Sequence, residues 1–426
     1  MRSNYKKIGP YIREVVEKNS DLAVKLLLGV SVSKEFIPSI ANIIGTDMST
    51  YKIVRKNQFA YGPVTSRNSD KVSIAMLNVD ECIVSTSYTV FEIIDHDTLL
   101  PEYLMMWFRR PEFDRYARFK SHGSVRELFD WEEMCDVELP MPSIEKQREI
   151  VKEYHTIVDR MKLNERLNQK LEETAQTIYK QWFVDFEFPI SAEYAATIGK
   201  PEFEGQPYKS SGGEMVFNDV LKQEIPIKWE IAYIKDLLEK KGYIRGPFGS
   251  ALLKEDMIGS GVPVYEQQHA IEDHRRFRYF VSPQKAKTLS RFSVKPNDSV
   301  ISCSGTLAQV TLIRESDPIG IINQALLILR PNKDVISPKL FAAFLRSPRG
   351  YHALVTSAGG SAQVNMAKRE IIEEIAFVFP EPKARLQISN ILSVFEKSIY
   401  EINTEMNSLN NLKFVLLARI ATESWQ

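Results

Sequence analysis

The stretch "LNQKLEETAQTIYKQWFVDFEFP", residues 167–189, decides the architecture. It begins as a polar helix pattern free of Gly and Pro, and closes on Trp182, Phe183, Phe186 and Phe188 before Pro189. Read upstream, it is the end of a longer stripe. Ile150, Tyr154, Ile157, Met161, Asn164, Asn168, Leu171, Ala175, Ile178 and Trp182 recur at alternating steps of four and three, a heptad seam with two polar seats. A second seam closes the chain: Ile388, Leu392, Phe395, Ile399, Ile402, Met406, Leu409, Lys413, Leu416 and Ile420. Each pattern runs roughly 35–40 residues, about 55–60 Å of helix. A stripe of that length must bury itself, and the expectation is that the two seams pack on each other. Asn164 and Asn168 then fix register at some cost in stability; the alternative is a seam rotated onto Leu163 and Leu167. The four aromatics are expected to clamp the helix exit as packed core, not to stack on bases.

The sequence also repeats itself. "YIREVVEK" (11–18) is matched in chemical type by "YIKDLLEK" (233–240), and "PEYLMMWFRRP" (101–111) by "PKLFAAFLRSP" (338–348). "GSVREL…LPMPSIEKQ" (123–147) is answered by "GSAQVN…FPEPKARLQ" (360–387). Three matches in the same order imply a duplicated unit, each copy ending in Pro-x-Pro, Gln and a long helix. Residues 51–94 and 262–330 read as short strands rich in Val, Ile and aromatics. Residues 189–227, rich in Pro, Gly and Ser, read as a connector between the halves.

With 426 residues the chain has room for two or three domains, and its 44% hydrophobic and 26% charged content is ordinary for globular protein. No apolar run reaches membrane-spanning length, and the start lacks a secretory core, so a cytoplasmic protein is expected. Cys82, Cys135 and Cys303 are scattered, which argues against disulfides and a cysteine-rich metal site. Lys+Arg and Asp+Glu balance at 55 each. Binding driven by charge alone is therefore disfavoured, while local patches stay open. Six bases face three acids between Arg109 and Glu127, and ten face five between Lys240 and Arg291, including "HRRFRYF" (274–280).

Catalytic signatures are missing. There is no GxxxxGK[ST] loop, no Gly-rich dinucleotide turn, no [ND]PP[YF] block, no HExxH and no GxSxG elbow. "EFEGQPYK" (202–209) places carboxylates near a lysine, but inside the connector. The pattern suits a protein that binds and positions, with no catalytic, cofactor or metal residues to name.

The opening stretch, with its tail "TAQTIYKQWFVDFEFP", resembles the central region of specificity (S) subunits of type I restriction-modification systems, where a long helix ends in a WF-x-D-F-x-P block. "FAYGPV…ECIVSTSYTVFEI" (59–93), "GPFGSALL" (246–253) and "GIINQALLILRP" (320–331) resemble segments of their target recognition domains. "LPMPSIEKQREIV" and "FPEPKARLQISNIL" resemble the entries to the two conserved helices. The resemblance covers essentially the whole chain. It implies an α+β fold with two similar recognition domains held apart by an antiparallel pair of long helices in a pseudo-twofold particle. The domains are then residues 1–143 and 228–382, the helices 144–188 and 383–426, and the linker 189–227. The implied role is recognition of a bipartite double-stranded DNA target, one half per domain with the helices setting the spacer. The implied partners are two modification subunits docked on the helices and two ATP-dependent restriction subunits; no membrane is involved.

Base edges are read by forked donors and acceptors, and phosphates by bases and small hydroxyls. On that chemistry the candidates in the first domain are Tyr61, Arg67, Ser87, Tyr88, Arg118, Lys120, His122, Ser124 and Arg126. In the second they are Arg245, Ser250, Gln267, Gln268, His269, Arg275, Arg276, Ser304, Thr306, Gln363 and Asn365. Two other readings compete: a coiled-coil scaffold that never meets DNA, and a nuclease with an unfamiliar site. Salt-dependent DNA binding separates the first of these, and metal-dependent cleavage by the purified chain the second.

Overall fold

A computed structural model describes residues 5–39, 46–66, 71–122, 127–357 and 364–422. The chain divides into two compact units, residues 1–163 with 405–426, and residues 164–404. Both mix helix and sheet, and each contains a part of both long helices.

The first unit contains β1 (Tyr5–Lys7), β2 (Ile12–Glu14), β3 (Phe59–Tyr61), β4 (Ile74–Met76) and β5 (Thr89–Ile93). Then come α1 (Pro101–Phe108), α2 (Pro111–Lys120), β6 (Glu138–Pro140) and the start of α3 (Ile144–Phe183). The main sheet is antiparallel in the order β2-β5-β3-β4, and β1 pairs with β6 at the entry to the long helix. The second unit repeats this plan with β7 (Glu230–Tyr233), β8 (Leu238–Arg245), β9 (Ser299–Ser302), β10 (Val310–Leu312) and β11 (Leu326–Pro331). It continues through α4 (Pro338–Arg346), α5 (Pro348–Leu354), β12 (Ala376–Phe379) and α6 (Pro382–Thr422). Its main sheet runs β8-β11-β9-β10, again antiparallel, and β7 pairs with β12. Chain order and strand order agree between the copies, which is the duplication expressed as topology.

The repeated prolines have a local cause. Pro101, Pro111, Pro338 and Pro348 each occupy the first helical turn, where the missing N–H costs nothing and the fixed φ favours the helix. The copies differ at the entry to the long helices. Gln147 is fully buried and ties the loop before α1 to α3: its side chain accepts from Leu100 N at 2.9 Å and donates to Thr98 O at 3.0 Å. Its counterpart by sequence, Gln387, is exposed. Arg385 ties the loop instead, donating to Val335 O at 2.9 Å.

The long helices pair antiparallel within each unit. In the first, Ile150 and Tyr154 share a core with Leu416, Leu417, Ile420 and Ala421, while Arg160 forks onto Glu405 at 2.8 and 3.0 Å. In the second, Ala175 and Ile178 lie against a core containing Ile388 and Leu392, and Asn168 donates to Asn403 at 2.6 Å. Met161, Trp182, Ile399 and Ile402 are buried; Ile157, Leu171, Phe395, Met406 and Leu409 are half-buried. Asn164 is 1% exposed, whereas Leu163 and Leu167 are 54% and 45% exposed. The seam therefore keeps its polar seats and does not rotate onto the leucines.

The exit of α3 is a packed aromatic cluster. Phe188 stacks on Trp229 and Tyr208 at 4.7 and 4.6 Å between centroids, and Phe183 meets Trp229 and Phe377 at 5.4 and 5.8 Å. Trp182, Phe183, Phe186 and Phe188 are all buried, so they are core. The expected connector is itself folded: residues 189–227 hold a helix (Ala192–Thr197) and a hairpin (Met215–Asn218 with Gln223–Pro226). They place Ile190, Ala195, Tyr208 and Ile225 in the core of the second unit. The segment lacked a readable period because its buried residues come from turns and short elements.

Candidate nucleic-acid interface

Sheet register brings the polar loops of each unit to one edge. In the first unit Tyr61 lies opposite Thr89, so the segments after β3 and before β5 leave the sheet side by side. Gly62 lets them close up: a Cβ there would stand 2.7 Å from Ser73 Oγ and 3.6 Å from the Tyr88 ring. The segment after β3 then meets the end of α2, where the Thr65 hydroxyl donates to Ser121 Oγ at 2.9 Å.

Ser87 is exposed on this edge, its hydroxyl 3.0 Å from that of Ser85. Tyr88 is half-buried, and its hydroxyl accepts from Val30 N at 3.2 Å, bracing a neighbouring strand. At the end of α2, Arg118 pairs with Glu127 and Lys120 with Glu133 at 2.9 Å; His122 is exposed, 3.7 Å from Glu133. Much of the basic stretch is thus neutralised by local acids, Arg115 on Glu112 at 3.1 Å among them. Tyr61 needs correction as a DNA contact. Phe59, Ala60 and Tyr61 are all 0% exposed, because β3 is a central strand covered on both faces. Arg67, Ser124 and Arg126 lie outside the described residues.

The second unit presents the same edge with more polar atoms. Arg245 lies opposite Leu327, and Ser302 opposite Leu326, so segments 246–250, 303–309 and 322–325 emerge together. They are stitched to one another. Gly246 presses on Asn323, whose carbonyl oxygen would be 1.9 Å from any added Cβ; Cys303 N donates to Ala325 O at 2.8 Å. Asn323 N donates to Tyr265 O at 3.0 Å, which brings in the short helix Gln267–Ile271. There the Ser304 hydroxyl donates to Gln267 Oε1 at 2.6 Å, beside Gly305 in a left-handed turn at φ 63°. Ser250, Ser304 and Thr306 are exposed, and Arg245, Gln267 and Gln268 half-buried. Burial pushes the Cys303 thiol up to about 11, with Arg245 pulling the other way, so it is no nucleophile at neutral pH.

Two candidates here are internal and are corrected. His269 is 0% exposed; its Nδ1 lies 2.8 Å from Glu266 N and its Nε2 3.0 Å from Arg276 O. Arg275 is spent on an internal network, donating to Asp317 at 2.8 Å, Thr311 Oγ1 at 3.1 Å and Leu312 O at 3.2 Å. Asp273 and Arg314 complete that network; burial raises the Asp273 carboxyl, and Arg314 and Arg275 more than offset it. Arg278 forks onto Glu266 at 2.8 and 2.9 Å, so "HRRFRYF" is largely scaffolding. Arg276 is exposed, its side chain without a hydrogen-bond partner among the described residues. Gln363 lies outside the described residues; Asn365 is placed by its backbone, paired with Thr356 in a hairpin.

Chemically this edge offers hydroxyls, amides and bases on clamped loops. Among the described residues no group of three His, Cys, Asp or Glu side chains could hold a metal, and no helix is long and apolar enough to cross a membrane.

No family model matches the chain. The type I restriction enzyme MjaIX specificity subunit of Methanocaldococcus jannaschii is 28% identical over 164 residues, 38% of this chain and 33% of that protein. The match thus spans about a third of that relative's length. The HindI specificity subunit of Haemophilus influenzae is 22% identical over 89% of both chains. The chain is similar to type I specificity subunits over most of its length. The crystal structure of the type I S subunit from M. genitalium shares the fold, with a TM-score of 0.50 and 12% identity over 98% of this chain and 96% of that one.

Relative to the S-subunit segments quoted above, two exposed aromatics escaped the reading of the sequence. Phe119, 81% exposed, stands between Arg118 and Lys120; Phe248, 64% exposed, stands in "GPFGS". For Phe248 a signal was present, since a large apolar residue held between Gly-Pro and Gly is set on a turn.

Proposed function

We propose that the chain is the DNA-reading, non-catalytic subunit of a type I restriction-modification complex. In this reading each unit reads one half of a bipartite duplex target. The long helices set the spacer between halves and dock the modification and restriction subunits, which carry the methyl-transfer and ATP-dependent chemistry. The observation that carries the proposal is the duplicated sheet edge. The same strand order in both units delivers hydroxyl and basic side chains to the same topological place, joined by amides in the second, as two readers of similar build require. The candidates remaining at the surface are Ser87, Tyr88, Arg118, Lys120 and His122 in the first unit. In the second they are Arg245, Ser250, Gln267, Gln268, Arg276, Ser304 and Thr306.

The test is to co-express the chain with its cognate modification subunit in a methylation-free host and map modified bases by long-read sequencing. A split motif with a fixed, non-specific gap is expected. A demonstrated complex that binds no DNA in a salt-dependent way favours a protein scaffold instead.

A further inference from the structure

Phe248 is a large apolar side chain presented at the surface by a loop anchored on either side of it. Its ring is 64% exposed, and Arg245 is a cation neighbour, its guanidinium 5.8 Å from the ring centroid. Both ends of the loop are fixed. On one side Gly246 N donates to Leu326 O at 3.0 Å, and the Gly246 Cα sits so close to Asn323 that no other residue fits. On the other, Gly249 takes φ 61° with open space around it, and Leu252 is buried in a separate apolar cluster. The φ at Gly249 turns the chain sharply just after the phenyl ring, so the ring heads a short finger.

Single exposed apolar residues are common and need no explanation. This one differs in its setting. It rises from the sheet edge that carries Arg245, Ser250, Gln267, Ser304 and Thr306, so an exposed aromatic shares its edge with basic and hydrogen-bonding groups. Proteins that bend or unstack a duplex use this combination: an apolar wedge enters a base step while the polar rim holds backbone and base edges. Preorganisation matters because a loop whose backbone is anchored on both sides of the ring loses less freedom on binding than a free one.

We infer that Phe248 is a wedge that enters a base step within the half-site read by the second unit, so that the unit selects for a step that unstacks easily. This rests on the DNA-reading proposal above. It adds a specificity term that hydrogen-bond readout does not supply, since pyrimidine–purine steps unstack at lower cost than others.

The experiment uses the complex with the modification subunit and duplexes carrying 2-aminopurine at successive positions of the second half-site. Binding of the unaltered complex should raise fluorescence at one step, and Phe248→Ala should abolish that rise. Affinity should fall on the order of ten-fold, as for loss of one base–aromatic contact. Phe248→Leu, which keeps an apolar wedge, should retain part of both signals. The ring is exposed, so Phe248→Ala should melt at the same temperature as the parent chain. Sequence-specific binding with no fluorescence change at any step, and unaltered affinity in Phe248→Ala, overturns the wedge and leaves DNA reading intact. Absence of specific binding by the unaltered complex overturns both.

Discussion

His269 sits between the rings of Phe277, stacked at 4.7 Å, and Tyr265, edge-on at 5.5 Å, with both ring nitrogens at hydrogen-bond distance from backbone. Burial lowers its pKa below the ordinary 6.5, with backbone hydrogen bonds from the Arg276 and Glu266 positions opposing in part. Neighbouring His274 is lowered too, by burial and by His269 itself. A folded-state pKa below the unfolded value means that the unfolded chain takes up the proton first. Stability is therefore full above pH 6.5 and falls as pH drops from there through the depressed values. Chemical denaturation at a series of pH values should show the second unit losing up to about 1.4 kcal/mol per pH unit for each of the two imidazoles. His269→Gln should remove its share of that slope; an unchanged slope contradicts the assignment. The same residue shows where reading single residues from sequence stops. Nothing local marks His269, Tyr61 or Arg275 as internal, because what buries them arrives from far along the chain. Asp317 lies 42 positions from Arg275, and the Tyr61 ring meets Phe91 and Phe129 edge-on. A count of bases in "HRRFRYF" likewise says nothing about which arginine already has an acid waiting in the fold.

Elements were more legible than residues. Both long helices follow from heptad spacing and the absence of Pro and Gly, and they emerge as Ile144–Phe183 and Pro382–Thr422. The duplication was visible in three short matches and reappears as equal strand orders. Residues 189–227 were the exception, since a helix of six residues and a hairpin of two four-residue strands are too short to show a period. The parts that differ between the copies were also opaque. The second unit inserts a three-stranded sheet (Phe280–Val281, Val262–Tyr265, Ile321–Ile322) whose strands fall in the stretch read as short strands, but whose pairing, one pair of it parallel, no local pattern announces. For the long helices the proposed role gives a direct expectation. Adding four residues to α3 after Leu163 and four to α6 after Thr404 lengthens each by about 6 Å, or about two base-pair steps. Methylation mapping of that variant should show both half-sites retained and the gap widened by about two positions. A gap of unchanged length sinks the ruler.

For the whole molecule, the central claim is division of labour: two similar units, each responsible for half of an address. The fold and the edge chemistry of each unit support it, as does the similarity of the chain to type I specificity subunits. In the proposed reading, which bases are read could not be legible in sequence, because it would depend on how candidates such as Gln267, Ser304 and Arg276 meet a particular groove and on how that duplex deforms. The most direct measurement is a half exchange: residues 1–143 replaced by the corresponding segment of a specificity subunit with a different known target, followed by methylation mapping beside the parent chain. The account predicts that one half of the motif changes to that of the donor, while the other half stays as it was. A motif that changes in both halves, or in neither while the complex still methylates, contradicts it.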